Sequence, residues 1–181
     1  QGYSSAASDV YKRQNGLSVG QHGLMGKQSM FEHSMKVPLV IAGPGIPQGQ
    51  VRDALVYLQD LRPTLLGLAG VADSPKARDF RSFAPLLAPT ANRGTPFRPF
   101  IYGAYMMHQR MFRRGDLKLI WVRAGKEKPG IWRLYDLRTD PYEMKDLAGD
   151  PKFAKDFAEM KRGLLAEMKR VRDPLFGRLE G

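Results

Sequence analysis

The strongest constraint on the fold of this chain lies between residues 100 and 137, where strand-length runs follow one another, and in the single long helical pattern after them. Residues 100–105, 109–113 and 117–122 read as strands, Arg114-Gly115-Asp116 supplies a hairpin turn, and 131–137 adds a further strand. Asp150-Pro151 then offers an N-cap and a first-turn proline, and Phe153, Phe157, Met160, Leu164, Met168 and Val171 recur every three or four residues. A helix with one apolar stripe must bury it, and the adjacent antiparallel sheet is the surface at hand. Trp121, Trp132 and Tyr135 read as core or half-buried sheet residues rather than as a platform for sugars. Lys155, Lys161, Arg162, Lys169, Arg170 and Arg172 also permit a membrane-surface helix, but Asp156, Glu159 and Glu167 interrupt that positive face and favour the packed reading.

Upstream, residues 37–42 form a continuous apolar run ahead of Gly43-Pro44-Gly45, the pattern of a buried strand with parallel neighbours. Asp60 is placed to cap a short helix with Pro63 in its first turn and Gly70 at its end. Residues 73–99 hold five prolines and read as a connecting loop. With 43% hydrophobic and 26% charged residues, the chain is globular rather than disordered. The absence of cysteine excludes disulfides and thiolate metal sites, and no apolar run reaches the length of a membrane span. A formal charge of +11 calls for a negatively charged partner or for a missing acidic portion. The basic residues between 93 and 133 suit sulfated polysaccharide or nucleic-acid phosphate, and no helix-turn-helix, zinc or RNA-recognition motif supports the second.

The chemistry concentrates at 15–27. Glycines 16, 20, 23 and 26 let the backbone turn tightly and reach positive φ, so polar side chains can converge. Lys27 offers a point charge with three donors, Asn15 a neutral oxygen for a hard cation, and His22 a donor or acceptor near neutral pH. Any one of them alone is compatible with a solvated loop. No phosphate-binding P-loop is present, because Gly26-Lys27 is followed by Gln28.

The order of these words resembles the sulfatase family of the alkaline phosphatase superfamily, and in particular the C-terminal half of an iduronate-sulfatase or arylsulfatase-like enzyme. Asn15-Gly16, Gly20-Gln21-His22-Gly23, Lys27, Phe31-Glu32 and Lys36-Val37-Pro38-Leu39 match its metal motif, histidine turn, lysine and strand. Asp60-Leu61-Arg62-Pro63-Thr64-Leu65 is similar to its Asp-Leu-x-Pro-Thr-Leu helix. Leu134-Tyr135-Asp136-Leu137, Asp140-Pro141-Tyr142-Glu143 and Asp146-Leu147-Ala148 are similar to its closing signature. The resemblance implies an α/β fold, seen here as the tail of a mostly parallel sheet followed by a small antiparallel sheet packed with a C-terminal helix. It implies sulfate-ester hydrolysis, with a formylglycine nucleophile and a calcium ion. On this chain Asn15 would be a metal ligand, Lys27 the sulfate and leaving-group contact, and His22 a weaker catalytic candidate that braces the loop. His108 would lie near the substrate mouth, and Glu32 reads as structural. The implied substrate is a sulfated small molecule or polysaccharide, and the implied location is periplasmic or extracellular, with no nucleic acid and no membrane span.

Two departures qualify the resemblance. The family's metal-binding Asp is replaced by Gln14, whose neutral amide cannot supply a carboxylate. Residues 1–14 lack an apolar strand and read as non-native or disordered, similar to translated assembly debris; 15–99 then reads as the C-terminal part of the α/β domain with its linker, and 100–181 as a sheet-and-helix subdomain. The family nucleophile, a Cys or Ser in Cys/Ser-x-Pro/Ala-x-Arg, is also missing, since Ser74-Pro75-Lys76-Ala77-Arg78 has the wrong order. The chain alone is accordingly expected to be inactive. Two other functions fit the same residues: a phosphonate or phosphodiester hydrolase of the same superfamily, and a non-catalytic basic glycan-binding module.

Overall fold

A computed structural model describes residues 9–12 (backbone only), 16–72, 79–123, 125 and 129–179. In chain order its regular elements are β1 (Asp9–Lys12), β2 (Ser18–Val19), β3 (Met25–Gly26), α1 (Glu32–Met35), β4 (Leu39–Ala42), α2 (Leu61–Leu68), β5 (Ile101–Tyr105), β6 (Gln109–Arg114), β7 (Leu117–Val122), β8 (Ile131–Asp136) and α3 (Ala154–Arg170). They divide into two compact units, one formed by Gln1–Lys12 with Pro38–Pro99 and the other by Arg13–Val37 with Phe100–Gly181.

In the second unit, β5, β6, β7 and β8 form an antiparallel meander in sequence order. Register is fixed by the pairs Gly103↔Met111, Phe112↔Leu119 and Leu119↔Leu134. Both faces of this sheet are covered. On one face Phe112, Leu119, Trp121 and Leu134 pack against Met160, Leu164 and Met168 of α3, with Phe153 and Phe157 partly buried beside them. On the other, Met111, Ile120 and Tyr135 pack against Met30 and Phe31. Covering on both sides explains why β7 is buried at four consecutive positions instead of alternating. Each fully buried large apolar side chain contributes about 1.5–3 kcal/mol, so these two clusters hold the unit together.

The α3 helix starts as predicted. Asp150 accepts a hydrogen bond from the Lys152 N–H at 3.0 Å, and Pro151 opens a 3-10 turn that runs into the helix. Val171 is the exception to the expected stripe: it sits at the C-cap and is exposed, because the helix stops at Arg170 and Arg172 takes a left-handed φ of 55°. The end of α3 is pinned instead by Asp173, whose carboxylate accepts from the buried Arg110 at 2.7 and 2.9 Å and from the Tyr102 hydroxyl. Arg110 and Lys118, both counted above toward a basic binding face, are thus interior ion-pair residues, 1% and 0% exposed.

In the first unit β4 is a strand, but its neighbour β1 runs antiparallel rather than parallel, and burial alternates along it with Val40 exposed. A strand covered on one face must alternate in this way. Asp60 does not cap α2. Its carboxylate accepts from the N–H groups of Tyr57 and Arg81 and pairs with Arg98, so it is fully buried as a loop-organising anion. Gly70, at φ 69°, ends α2 as expected.

Candidate functional site

The 16–35 segment holds its polar residues through a short hairpin and a short helix. β2 and β3 pair antiparallel, and the Ser18 hydroxyl, buried inside the turn, lies 2.9 Å from the carbonyls of both Gln21 and Leu24. Glycines 20, 23 and 26 have φ of 95°, 68° and 102°, the conformations expected of them. Gly16 is required for a different reason: a Cβ there would stand 1.5 Å from the His33 carbonyl oxygen, so the chain passes directly against α1. His22 itself adopts φ 56°, unusual for a side-chain-bearing residue.

Its imidazole is held by stacking. The His22 and Phe31 rings lie 3.9 Å apart at 5°, and His33 stacks on the same pair at 5.7 and 5.8 Å. Burial depresses the His33 pKa, with the charges of His22 and Lys118 adding to the effect, so this ring is neutral near pH 7. Ser29 reaches its Nε2 at 3.2 Å and the Ser34 hydroxyl at 2.9 Å. Lys27 follows β3 directly and is exposed, with no ion pair among the described residues.

The segment is clamped to the sheet at two points that sequence reasoning missed. Gln109, the first residue of β6, accepts from the Met30 N–H at 3.0 Å and donates to the Gln28 carbonyl at 3.2 Å. That grip ties the residue after Lys27 to the residue after His108, which is exposed in the turn between β5 and β6. The second clamp is a buried charge cluster. Lys118 Nζ lies 2.8 Å from Glu32 Oε1 and 2.8 Å from Glu143 Oε1, Arg113 reaches Glu32 Oε2 at 3.0 Å, and Glu143 Oε2 accepts the Glu32 N–H at 2.6 Å. Lys118 and Glu143 are thus joined as a buried ion pair at 2.8 Å.

Burial opposes ionisation of both carboxyls, with opposite outcomes. At Glu32 the charges of Lys118 and Arg113 outweigh it and the pKa falls; at Glu143 burial prevails over Lys118 and the pKa rises. A four-residue helix without a side-chain cap of its own is too short to persist alone, so the Glu143 carboxylate at its first N–H is what closes α1. The reading of Glu32 as structural agrees with this geometry. A lysine inside an otherwise apolar strand and the glutamate of Asp140-Pro141-Tyr142-Glu143 were the signals that could have revealed the cluster.

Gln14 and Asn15 lie outside the described residues, as does the 74–78 segment. Among the described residues no group of three or more His, Asp or Glu is placed to hold a metal ion, so the described part of the loop does not by itself fit one. No helix among them is long and apolar enough to cross a membrane. The arrangement brings His22, Phe31 and His33 into one stack and fixes the backbone on either side of Lys27, whose side chain is exposed.

Comparison with known proteins identifies this architecture. The family model of the N-sulphoglucosamine sulphohydrolase C-terminal region matches residues 20–170. The N-acetylglucosamine-6-O-sulfatase of Bacteroides thetaiotaomicron is 29% identical over 173 residues, covering 91% of this chain and 30% of that protein. The structure of BT4656 in complex with its substrate D-glucosamine-2-N,6-O-disulfate superposes with a TM-score of 0.77 at 27% identity, over 92% of this chain and 35% of that one. A phosphonate monoester hydrolase from Silicibacter pomeroyi shares the fold with a TM-score of 0.71 at 23% identity, over 89% and 34%. The chain therefore spans about a third of the length of these proteins. With the family match running through the loop, the sheet and α3, the chain belongs to the sulfatases of the alkaline phosphatase superfamily, in the N-sulphoglucosamine sulphohydrolase C-terminal family.

Proposed function

We propose that this chain supplies the lysine-bearing half of an active site that hydrolyses sulfate esters of sulfated glycans. The observation that carries the reading is the exposed Lys27 on a hairpin clamped by Gln109 on its far side, within a chain that belongs to the sulfatases. In this reading the Lys27 ammonium binds a sulfate oxygen and neutralises the leaving oxygen as the S–O bond breaks, the kind of preorganised charge that stabilises such transition states. His22, locked in its stack, braces the turn and presents an imidazole edge to the same anion; His108, exposed beside Gln109, faces the saccharide. Asn15 and position 14 are the places we assign to a divalent metal such as calcium, whose chemistry when bound is to offset sulfate charge. The formylglycine nucleophile has no counterpart in these 181 residues and is assigned to sequence outside them. A periplasmic or extracellular site of action follows from a polymeric sulfated substrate.

The test is hydrolysis by the protein expressed in its complete reading frame, with a 6-O-sulfated glucosamine and an aryl phosphonate or phosphodiester compared side by side. Sulfate release with a higher kcat/KM than either phosphorus ester is expected, and the reverse order overturns the sulfatase reading. The 181-residue chain alone is expected to show no turnover.

A further inference from the structure

Lys161 of α3 lies over the Trp132 ring, 5.0 Å from its centroid, and Arg170 pairs with Glu167, but three other basic residues of the helix remain unaccounted for. Lys155, Arg162 and Lys169 are all exposed, and seven-residue spacing puts them in one row on the outer side of the helix, opposite Met160, Leu164 and Met168. Each step is about 10 Å, so the row is roughly 20 Å long. Ala158 and Ala166 adjoin the row and are exposed and too small to screen it, and Glu159, four residues after Lys155 and three before Arg162, adjoins it as well. The acidic residues of the helix lie to one flank. Glu159 is paired with Arg114 at 2.9 Å, and Glu167 is buried and held by Arg170 at 2.7 and 2.8 Å. Asp156 sits in the first turn, where the helix dipole favours it. Lys155, Arg162 and Lys169 have no ion pair among the described residues.

We propose that this ridge on α3 is a docking surface for a linear sulfated polysaccharide, engaging the polymer away from the Lys27 loop. The proposal deepens the sulfated-glycan reading and rests on it for the choice of polyanion. The geometry favours a narrow chain. A single row of cations one side chain wide matches consecutive anionic groups of one strand. A nucleic-acid duplex would bring phosphates from two strands across the Asp156 and Glu159 flank. At physiological salt the cations stand about a screening length apart, so they repel one another little, and a polymer gains by meeting them together.

The experiment is calorimetric titration of the 181-residue chain with size-fractionated heparin at several salt concentrations, comparing the variant Lys155→Ala/Arg162→Ala/Lys169→Ala with Arg138→Ala/Lys145→Ala/Arg178→Ala. Both lose the same charge at exposed positions, and circular dichroism verifies that each is folded. The ridge variant is expected to bind at least about tenfold more weakly, with the slope of log K against log salt shallower by roughly two to three, while the control variant stays within about twofold. An equal loss in both variants, or duplex DNA displacing heparin as well as heparin displaces itself, overturns the proposal. Because binding is read without turnover, failure of the ridge and failure of the sulfatase reading are separate results.

Discussion

Lys118→Met removes the one cation that Glu32 and Glu143 share while keeping the length of the side chain. Lys118 is fully buried and Glu143 is 2% exposed, so the variant leaves Glu143 without a counter-charge in the interior; Glu32 keeps Arg113. Breaking a buried pair from one side costs about 3–5 kcal/mol. Glu143 can escape part of that cost by taking up a proton, and its pKa already lies above the ordinary carboxyl value because burial outweighs Lys118. A carboxyl whose folded-state pKa is raised makes its contribution below the unfolded value and loses it as pH rises through the folded value, at about 1.4 kcal/mol per unit between the two. Removing Lys118 raises that folded pKa further. The variant should therefore lose about 3 kcal/mol or more at pH 7.5, a drop of roughly 12–24 °C in Tm for a unit of this size, and less at pH 5. Urea and thermal unfolding followed by circular dichroism at the two pH values read this directly. A loss below about 1 kcal/mol at both would refute the claim that these carboxylates are desolvated and shared by one lysine.

Other expectations follow from the same geometry. Asp173→Asn should cost about 3 kcal/mol at pH 7, because the buried Arg110 loses its counter-charge. Burial works against the Asp173 carboxylate, but its bonds from Arg110, Tyr102 and the Leu175 N–H depress the pKa, so the wild-type advantage holds above about pH 4 and disappears as pH falls through the folded value; melts from pH 7 to pH 3 check the convergence. Gly16→Ala should loosen the 16–28 segment, since its Cβ would meet the His33 carbonyl at 1.5 Å, and hydrogen exchange there should accelerate about tenfold while β6 and β7 stay protected.

Much of the sheet-and-helix unit was legible in the sequence. Residues 101–105, 109–114, 117–122 and 131–136 became strands within about a residue of expectation, because Gly115-Asp116 and the other turn signals delimit them and local pairing suffices for a meander. The α3 stripe was equally clear until Val171, where helix periodicity continues in the sequence but the chain turns at Arg172. What escaped notice is long-range. Glu32, Arg113, Lys118 and Glu143 come from four separate segments, and their convergence depends on register that no local pattern encodes. Asp60 looked like a cap because Asp before Leu-Arg-Pro is a cap signal, yet its carboxylate turns back to Tyr57 and across to Arg98. At the loop, the glycines announced the turns at 20, 23 and 26, whereas the stacking of His22 on Phe31 and the grip of Gln109 are tertiary events.

Lys27 is the residue on which the sulfate assignment of this loop most directly depends. In the protein expressed in its complete reading frame, Lys27→Ala should lower kcat/KM for a 6-O-sulfated glucosamine by about 10²–10³-fold, the scale for removing one preorganised electrostatic contact to a transferring group, with the unfolding midpoint unchanged because the side chain is exposed. Activity within about threefold of wild type would contradict the assignment of this loop to the sulfate.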